Sequence, residues 1–172
     1  DLDSGAIKHV VEGAGFEVTN LLDEPTAANA VLKIKNGAIV DIGGGTTGIA
    51  ILKDGKVVYV PMNRQGARIF PSSYPALTRC LSKRLNCIKE IRGITAKSCR
   101  SYSRSLKKVS SIITRHIKDY DVKEIYLVGG TCCLTGIESI IEKRTGLPTR
   151  KPQNPMFATP LGIALNCKQL EE

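Results

Sequence analysis

No run of apolar residues in this 172-residue chain approaches the ~18 that a membrane-spanning helix needs, although 42% of its residues are hydrophobic. That pairing points to a globular chain with a core and no membrane partner. The first ten residues, DLDSGAIKHV, lack the basic stretch followed by an apolar stretch that an export signal requires. Asp1 stands where an initiator methionine would, which reads as a fragment or a processed product. None of the six cysteines is spaced as Cys-x-x-Cys, so the usual zinc pattern is missing. Cys132 and Cys133 are neighbours and make a poor disulfide pair. With no export signal, the expected state is reduced thiols in the cytoplasm.

Acidic residues are almost absent from one segment. Residues 62–108 hold twelve Lys or Arg and a single acid, Glu90, a local charge of +11, whereas the rest of the chain sums to −2. The overall net charge of +9 therefore belongs to one stretch. Phe70, Tyr74 and Tyr102 are scattered through it, but it has no RNA-binding signature and no periodic basic face. It is not read as a nucleic-acid site. Its apolar residues follow neither the helical nor the strand period.

The flanking sequence is regular. SGAIKHVVEGAG places Ile7, Val10, Val11 and Ala14 on one helical face, with Ser4 to cap it and Gly15 to stop it. FEVTNLLD alternates and reads as a short strand. EPTAANAVLKI places Pro25 in the first turn of a helix whose positive end carries Asp23 and Glu24. NGAIVDIGG, TTGIAILKDG and KVVYVP read as three strands, the last two joined by a turn at Lys53-Asp54-Gly55. VSSIITRHIKDY is an amphipathic helix with Val109, Ile112, Ile113 and Ile117 inward. VKEIYLVGG is a buried strand, LTGIESIIEKRTG a helix closed by Gly146, and NPMFATPLGIALNCKQL ends in another helix. Strand–glycine–helix units alternating with a hairpin imply an α/β fold with a mixed sheet. His9 and His116 lie on predicted helices and are expected at the surface. Cys132 and Cys133 are read as packing residues.

The stretch DIGGGTTGIA is the strongest candidate for chemistry. Gly43, Gly44 and Gly45 lack Cβ, so the backbone can take positive φ and approach a polyphosphate closely. Thr46 and Thr47 add hydroxyl and N–H donors. Asp41, at the end of a strand, can hold Mg²⁺ through water, since that ion keeps much of its hydration shell. No Gly-Lys-Ser/Thr follows and the glycines enter a strand, so this is not a Walker A loop. Three glycines in a hairpin fit a structural role as well as a phosphate-binding one.

Three motifs occur in order: LLDEPTAANA, IVDIGGGTTGIAIL and IYLVGGTCCLTGIESII. Together they resemble the connecting helix, second phosphate loop and adenosine loop of the actin/Hsp70/sugar-kinase ATPase superfamily. Within it, the wording is most similar to the EutJ family of Hsp70-like ethanolamine utilization proteins and less to the bacterial actin MreB. The resemblance covers residues 1–61 and 109–172. It implies an actin-like, ribonuclease H-like α/β lobe: residues 1–61 hold the end of lobe one and the first half of lobe two, and 109–172 the second half of lobe two. It implies ATP or ADP with Mg²⁺ as ligands, and pathway clients as partners of a chaperone-type protein. Asp41 would sit near the Mg²⁺ and the attacking water, Glu24 would help position metal or water, and Gly43 to Thr47 would bind the β- and γ-phosphates. Gly129, Gly130 and Thr131 would pass under ribose and adenine. Thr159 and Pro160 match the approach to the superfamily's final helix and are read as architecture. A non-catalytic interaction protein or an actin-like assembly protein is the alternative on the same fold.

Two departures qualify the resemblance. The superfamily's first phosphate loop has no counterpart here, and a phosphate clamp needs donors from both sides to position the γ-phosphate. Turnover by this chain is therefore not expected. The Thr-Gly-Gly segment that follows the hairpin in relatives is also missing. MNRQGARIFPSSYPALTR, residues 62–79, can be encoded so that the adjacent reading frame gives DEPTGGTHFSLVLSGAYK, which contains that segment. Residues 62–108 are accordingly read as an out-of-frame stretch in place of a small subdomain, poorly ordered as a result. We expect the coding DNA to show either a compensating pair of frame changes around it or sequencing errors at its two ends. An uninterrupted frame shared with a close relative would remove the reading.

Overall fold

The computed structural model describes residues 2–43, 46–61 and 100–167. Its centre is the most apolar stretch of the sequence, β1 (Gly37–Ile42), every residue of which is buried. A strand buried on both faces has to be covered by a layer on each side. β1 pairs antiparallel with β2 (Thr47–Lys53), which pairs antiparallel with β3 (Lys56–Tyr59). On its other edge β1 pairs in parallel with β4 (Ile125–Val128), followed by the short β5 (Thr149–Arg150). The order β3-β2-β1-β4-β5 is the mixed sheet expected from the sequence. The β2–β3 turn places Asp54 and Gly55 at φ 52° and 76°, the left-handed pair that matches strand twist in a two-residue hairpin.

The helices divide between the two faces by strand alternation. Ala38, Val40, Ile42, Ile49 and Ile51 face α3 (Arg100–Ile117) and α4 (Ile137–Thr145). Ile39, Leu52 and Val128 face α2 (Glu24–Leu32) and α5 (Ala158–Asn166). The N-terminal α1 spans Leu2–Gly13. α4 ends at Gly146 with φ 74°, the stop read from the sequence. The α2–α5 contact is close: a Cβ on Gly162 would overlap the Ala27 carbonyl oxygen.

Two expectations differ from the structure, and one element placed as expected carries an exposed apolar face. FEVTNLLD forms no strand; alternation supplies two faces but no ladder partner, and Phe16, Leu21 and Leu22 remain exposed. Ile7, Val10 and Val11 lie on a helix as expected, but that face is exposed, Val10 at 72%. Finally, α3 starts at Arg100, upstream of Val109. Leu106, Val109, Ile113 and Ile117 follow one another at steps of three and four and form one buried stripe, so the helical pattern extends back into the end of the segment read as aberrant. The reading of residues 62–99 lies outside the described residues. Among the described residues, no helix is long and apolar enough to cross a membrane.

Candidate functional site

Alternation along β1 turns Asp41 away from Val40 and Ile42, onto the face covered by α2 and α5. Its register partner on the parallel strand β4 is Val128. The carboxyl ends of β1 and β4 therefore lie side by side, and both glycine motifs leave from that edge. Crevices at the carboxyl ends of neighbouring parallel strands are where α/β sheets bind ligands. The loops are also tied together: the Thr131 hydroxyl donates to the Gly43 carbonyl at 2.7 Å, across 88 positions of sequence. Gly129 takes φ 94° and ψ 164°. A Cβ there would lie 2.6 Å from the Ile42 carbonyl oxygen and would overlap Asp41 Oδ1.

Asp41 is 5% exposed, and its Oδ2 accepts a 2.7 Å hydrogen bond from the Thr159 hydroxyl in the first turn of α5. Burial raises its pKa above the ordinary aspartate value, an effect the Thr159 hydrogen bond partly opposes. The N-terminus of α2 meets the same spot. Gly48, the register partner of Asp41 on β2, lets Pro25 come close: a Cβ on Gly48 would sit 3.1 Å from Pro25 Cγ and 3.8 Å from Asp41 Cβ. Asp23 caps α2, accepting from the Thr26 N–H at 3.1 Å and the Thr26 hydroxyl at 2.6 Å. The next residue, Glu24, is exposed to solvent yet has a raised pKa, from partial burial first and the charge of Asp41 second.

The structure thus brings together Asp41, Glu24, Gly43, Gly129, Gly130 and Thr131. Gly44 and Gly45 lie outside the described residues. Thr46 is exposed, with its carbonyl accepting from the Gly43 N–H at 3.1 Å. Thr47 pairs with Ile42, so its side chain lies on the face opposite Asp41, and its buried hydroxyl has no hydrogen-bond partner among the described residues. Thr159, read from the sequence as architecture, is a direct contact of Asp41; the Thr-Pro pair in the first turn of a helix was the available signal. His116 is half-buried, with Nδ1 2.9 Å from the Tyr59 hydroxyl. Its pKa is lowered by burial first and by Arg115 second. Cys132 is fully buried and bonded to the Val128 carbonyl at 2.9 Å, and burial pushes its thiol well up, in keeping with a packing role.

The donor set suits a hydrated divalent cation. The charge of Asp41 opposes the ionisation of Glu24, and Mg²⁺ is commonly held by one or two carboxylates while keeping several waters. Among the described residues, no group of three or more His, Cys, Asp or Glu is placed to hold a metal.

Asparagine at position 41 preserves the acceptor for Thr159 and removes the buried charge. The raised pKa means that the folded state binds this proton more readily than the unfolded chain. Wild-type stability therefore falls as pH rises from the ordinary aspartate value through the folded one, and the penalty persists at neutral pH. We expect Asp41→Asn to melt at a higher temperature than wild type at pH 7, with the difference shrinking as pH falls towards 3.8. A difference independent of pH would show that the charge is not the cause.

No family model matches the chain. The ethanolamine utilization protein EutJ of Escherichia coli K12 is 35% identical over 169 residues, which cover 95% of this chain and 59% of that protein. EutJ of Salmonella typhimurium is 36% identical over 161 residues, 91% of this chain and 56% of that protein. The crystal structure of EutJ from Carboxydothermus hydrogenoformans superposes with a TM-score of 0.70 at 36% identity, covering 93% of this chain and 59% of that one. MreB5 of Spiroplasma citri bound to ADP also superposes at 0.70, but at 16% identity, a likeness of fold alone. The chain spans somewhat under three fifths of the length of the curated relatives it matches.

Proposed function

This chain is a homologue of EutJ with the actin/Hsp70-like ATPase fold, and from that premise we propose that its Asp41 edge is the phosphate and metal side of an ATP or ADP site. The observation that carries the reading is the junction of the two glycine motifs at the carboxyl ends of β1 and β4, fastened by the Thr131–Gly43 hydrogen bond. The loop from Gly43 to Thr47 receives the β- and γ-phosphates, and the Asp41 and Glu24 carboxylates orient the water shell of Mg²⁺. The metal, when bound, neutralises phosphate charge. Thr159 fixes the rotamer of Asp41 through its 2.7 Å hydrogen bond. Gly129, Gly130 and Thr131 run beneath the nucleoside. Beside them opens a cleft of about 270 Å³ lined by Cys133, Met156 and Phe157 among others, near the lower end of the ~300–1,000 Å³ range of small-molecule sites.

These residues supply one side of a phosphate clamp, and holding nucleotide is the part of the activity they account for. The role is chaperone-type, in the cytoplasm, on client proteins of ethanolamine utilization. Calorimetric titration of Mg-ADP into the full chain tests the site. Binding is expected for wild type, with at least a tenfold loss, about 1.4 kcal/mol, in Asp41→Asn. No heat with wild type, or equal affinity in the variant, would reject the assignment.

A further inference from the structure

Apart from the Asp41 edge, α3 and α4 leave an open groove of about 960 Å³ between them. Arg115, Lys143 and Arg144 line it, and among the described residues no carboxylate does. The acids of α4 are engaged elsewhere: Glu138 pairs with Lys151 at 2.9 Å, and Glu142 accepts from the Thr149 N–H at 3.1 Å. Among the described residues, none of the three cations has a carboxylate at ion-pair distance. Basic side chains in last helical turns are a common way to meet the helix dipole. Here two such helix ends share one groove, and that concentrates the charge.

The hydroxyls in the groove decide which anion suits it. Ser111 donates to the Lys107 carbonyl at 3.0 Å and Thr114 to the Ser110 carbonyl at 2.9 Å. Their protons are committed to their own helix, so each oxygen offers only lone pairs to a ligand. A free phosphate, which at neutral pH is chiefly an acceptor, would be met by the cations and the Ser139 hydroxyl, while the Ser111 and Thr114 oxygens would face it as acceptors. A polypeptide with Asp or Glu side chains brings carboxylates for the cations and N–H groups for the hydroxyl oxygens. Half-buried Ile140 adds an apolar strip for its side-chain methylenes. The facing stretches run roughly 8 Å along each helix, the length of two or three extended residues.

We propose that the α3–α4 groove binds an acidic segment of a partner polypeptide. The test is fluorescence anisotropy of a labelled Glu-rich peptide with the full chain. The triple variant Arg115→Glu/Lys143→Glu/Arg144→Glu is compared with Lys35→Glu/Lys53→Glu/Lys56→Glu, which changes net charge equally at exposed sites elsewhere. The groove variant is expected to lose at least thirtyfold in affinity and the control less than threefold. Wild-type binding should weaken between 50 and about 200 mM salt, as charge screening requires. The neutral variant Arg115→Gln/Lys143→Gln/Arg144→Gln, compared at equal helicity by circular dichroism, should still lose at least tenfold. Equal losses in the groove and control variants, no peptide binding by wild type, or competition by inorganic tripolyphosphate as strong as by unlabelled peptide would overturn the proposal.

Discussion

Gly129→Ala is expected to cost about 3 kcal/mol or more, the largest single-residue effect we anticipate. Two independent costs combine. At φ 94° and ψ 164° the backbone is in a region open almost only to glycine, and holding an alanine there costs on the order of 1–3 kcal/mol. The new methyl would also sit 2.6 Å from the Ile42 carbonyl oxygen and overlap Asp41 Oδ1. Overpacking of this kind typically costs ~1–3 kcal/mol. Against a folding free energy of roughly 5–15 kcal/mol, the loss should be plain in urea denaturation. Removing the Asp41 side chain in Gly129→Ala/Asp41→Ala should recover only a minor part, because the Ile42 carbonyl belongs to the β1 ladder and cannot move aside. Full recovery would mean that the carboxylate contact, rather than backbone strain, sets the requirement for glycine.

The second large effect is at Gly162, where two opposed terms fix the sign. Glycine inside a helix is normally a liability, and alanine improves helix propensity by ~1 kcal/mol. In α5 the added Cβ would run into the Ala27 carbonyl oxygen and lie 3.1 Å from the Ala28 nitrogen. Both are backbone atoms of α2, so relief requires the helices to separate. That would loosen Ala28 and Ala158 in the core and shift Thr159 from Asp41. The steric cost of about 3 kcal/mol exceeds the gain, for a net loss of about 2 kcal/mol. Gly5 in α1 is the control: nothing lies within 4 Å of its Cβ position, and Gly5→Ala should stabilise by at most ~1 kcal/mol. Opposite signs for the same chemical change are the expected result. Stabilisation by both would contradict the close α2–α5 contact.

These glycines show where the sequence was sufficient and where it was not. The glycine run after Asp41 and the pair at Gly129–Gly130 were legible as loops because each ends an apolar strand. Pro25 behind a capping Asp23, and Gly146 after α4, marked their helix ends for equally local reasons. Gly162 gave no such sign; its constraint is a backbone atom 135 positions away. Thr159 was undervalued for the same reason, since its partner Asp41 is 118 positions distant. His116 was read as a surface residue because nothing local announces Tyr59.

Local sequence determined most of the elements and their order, because helix period, strand alternation, caps and turn residues act within a few positions. It also determined which motifs could do chemistry, since phosphate approach and cation binding depend on residue type. Tertiary structure alone decided that β1 and β4 lie parallel, and so that both glycine loops open at one edge with Asp41 between the ends of α2 and α5. It also left the apolar face of α1 exposed and denied FEVTNLLD a strand. Each of these outcomes depends on a partner distant in the chain, and a strand edge or an apolar face cannot specify such a partner by its own pattern.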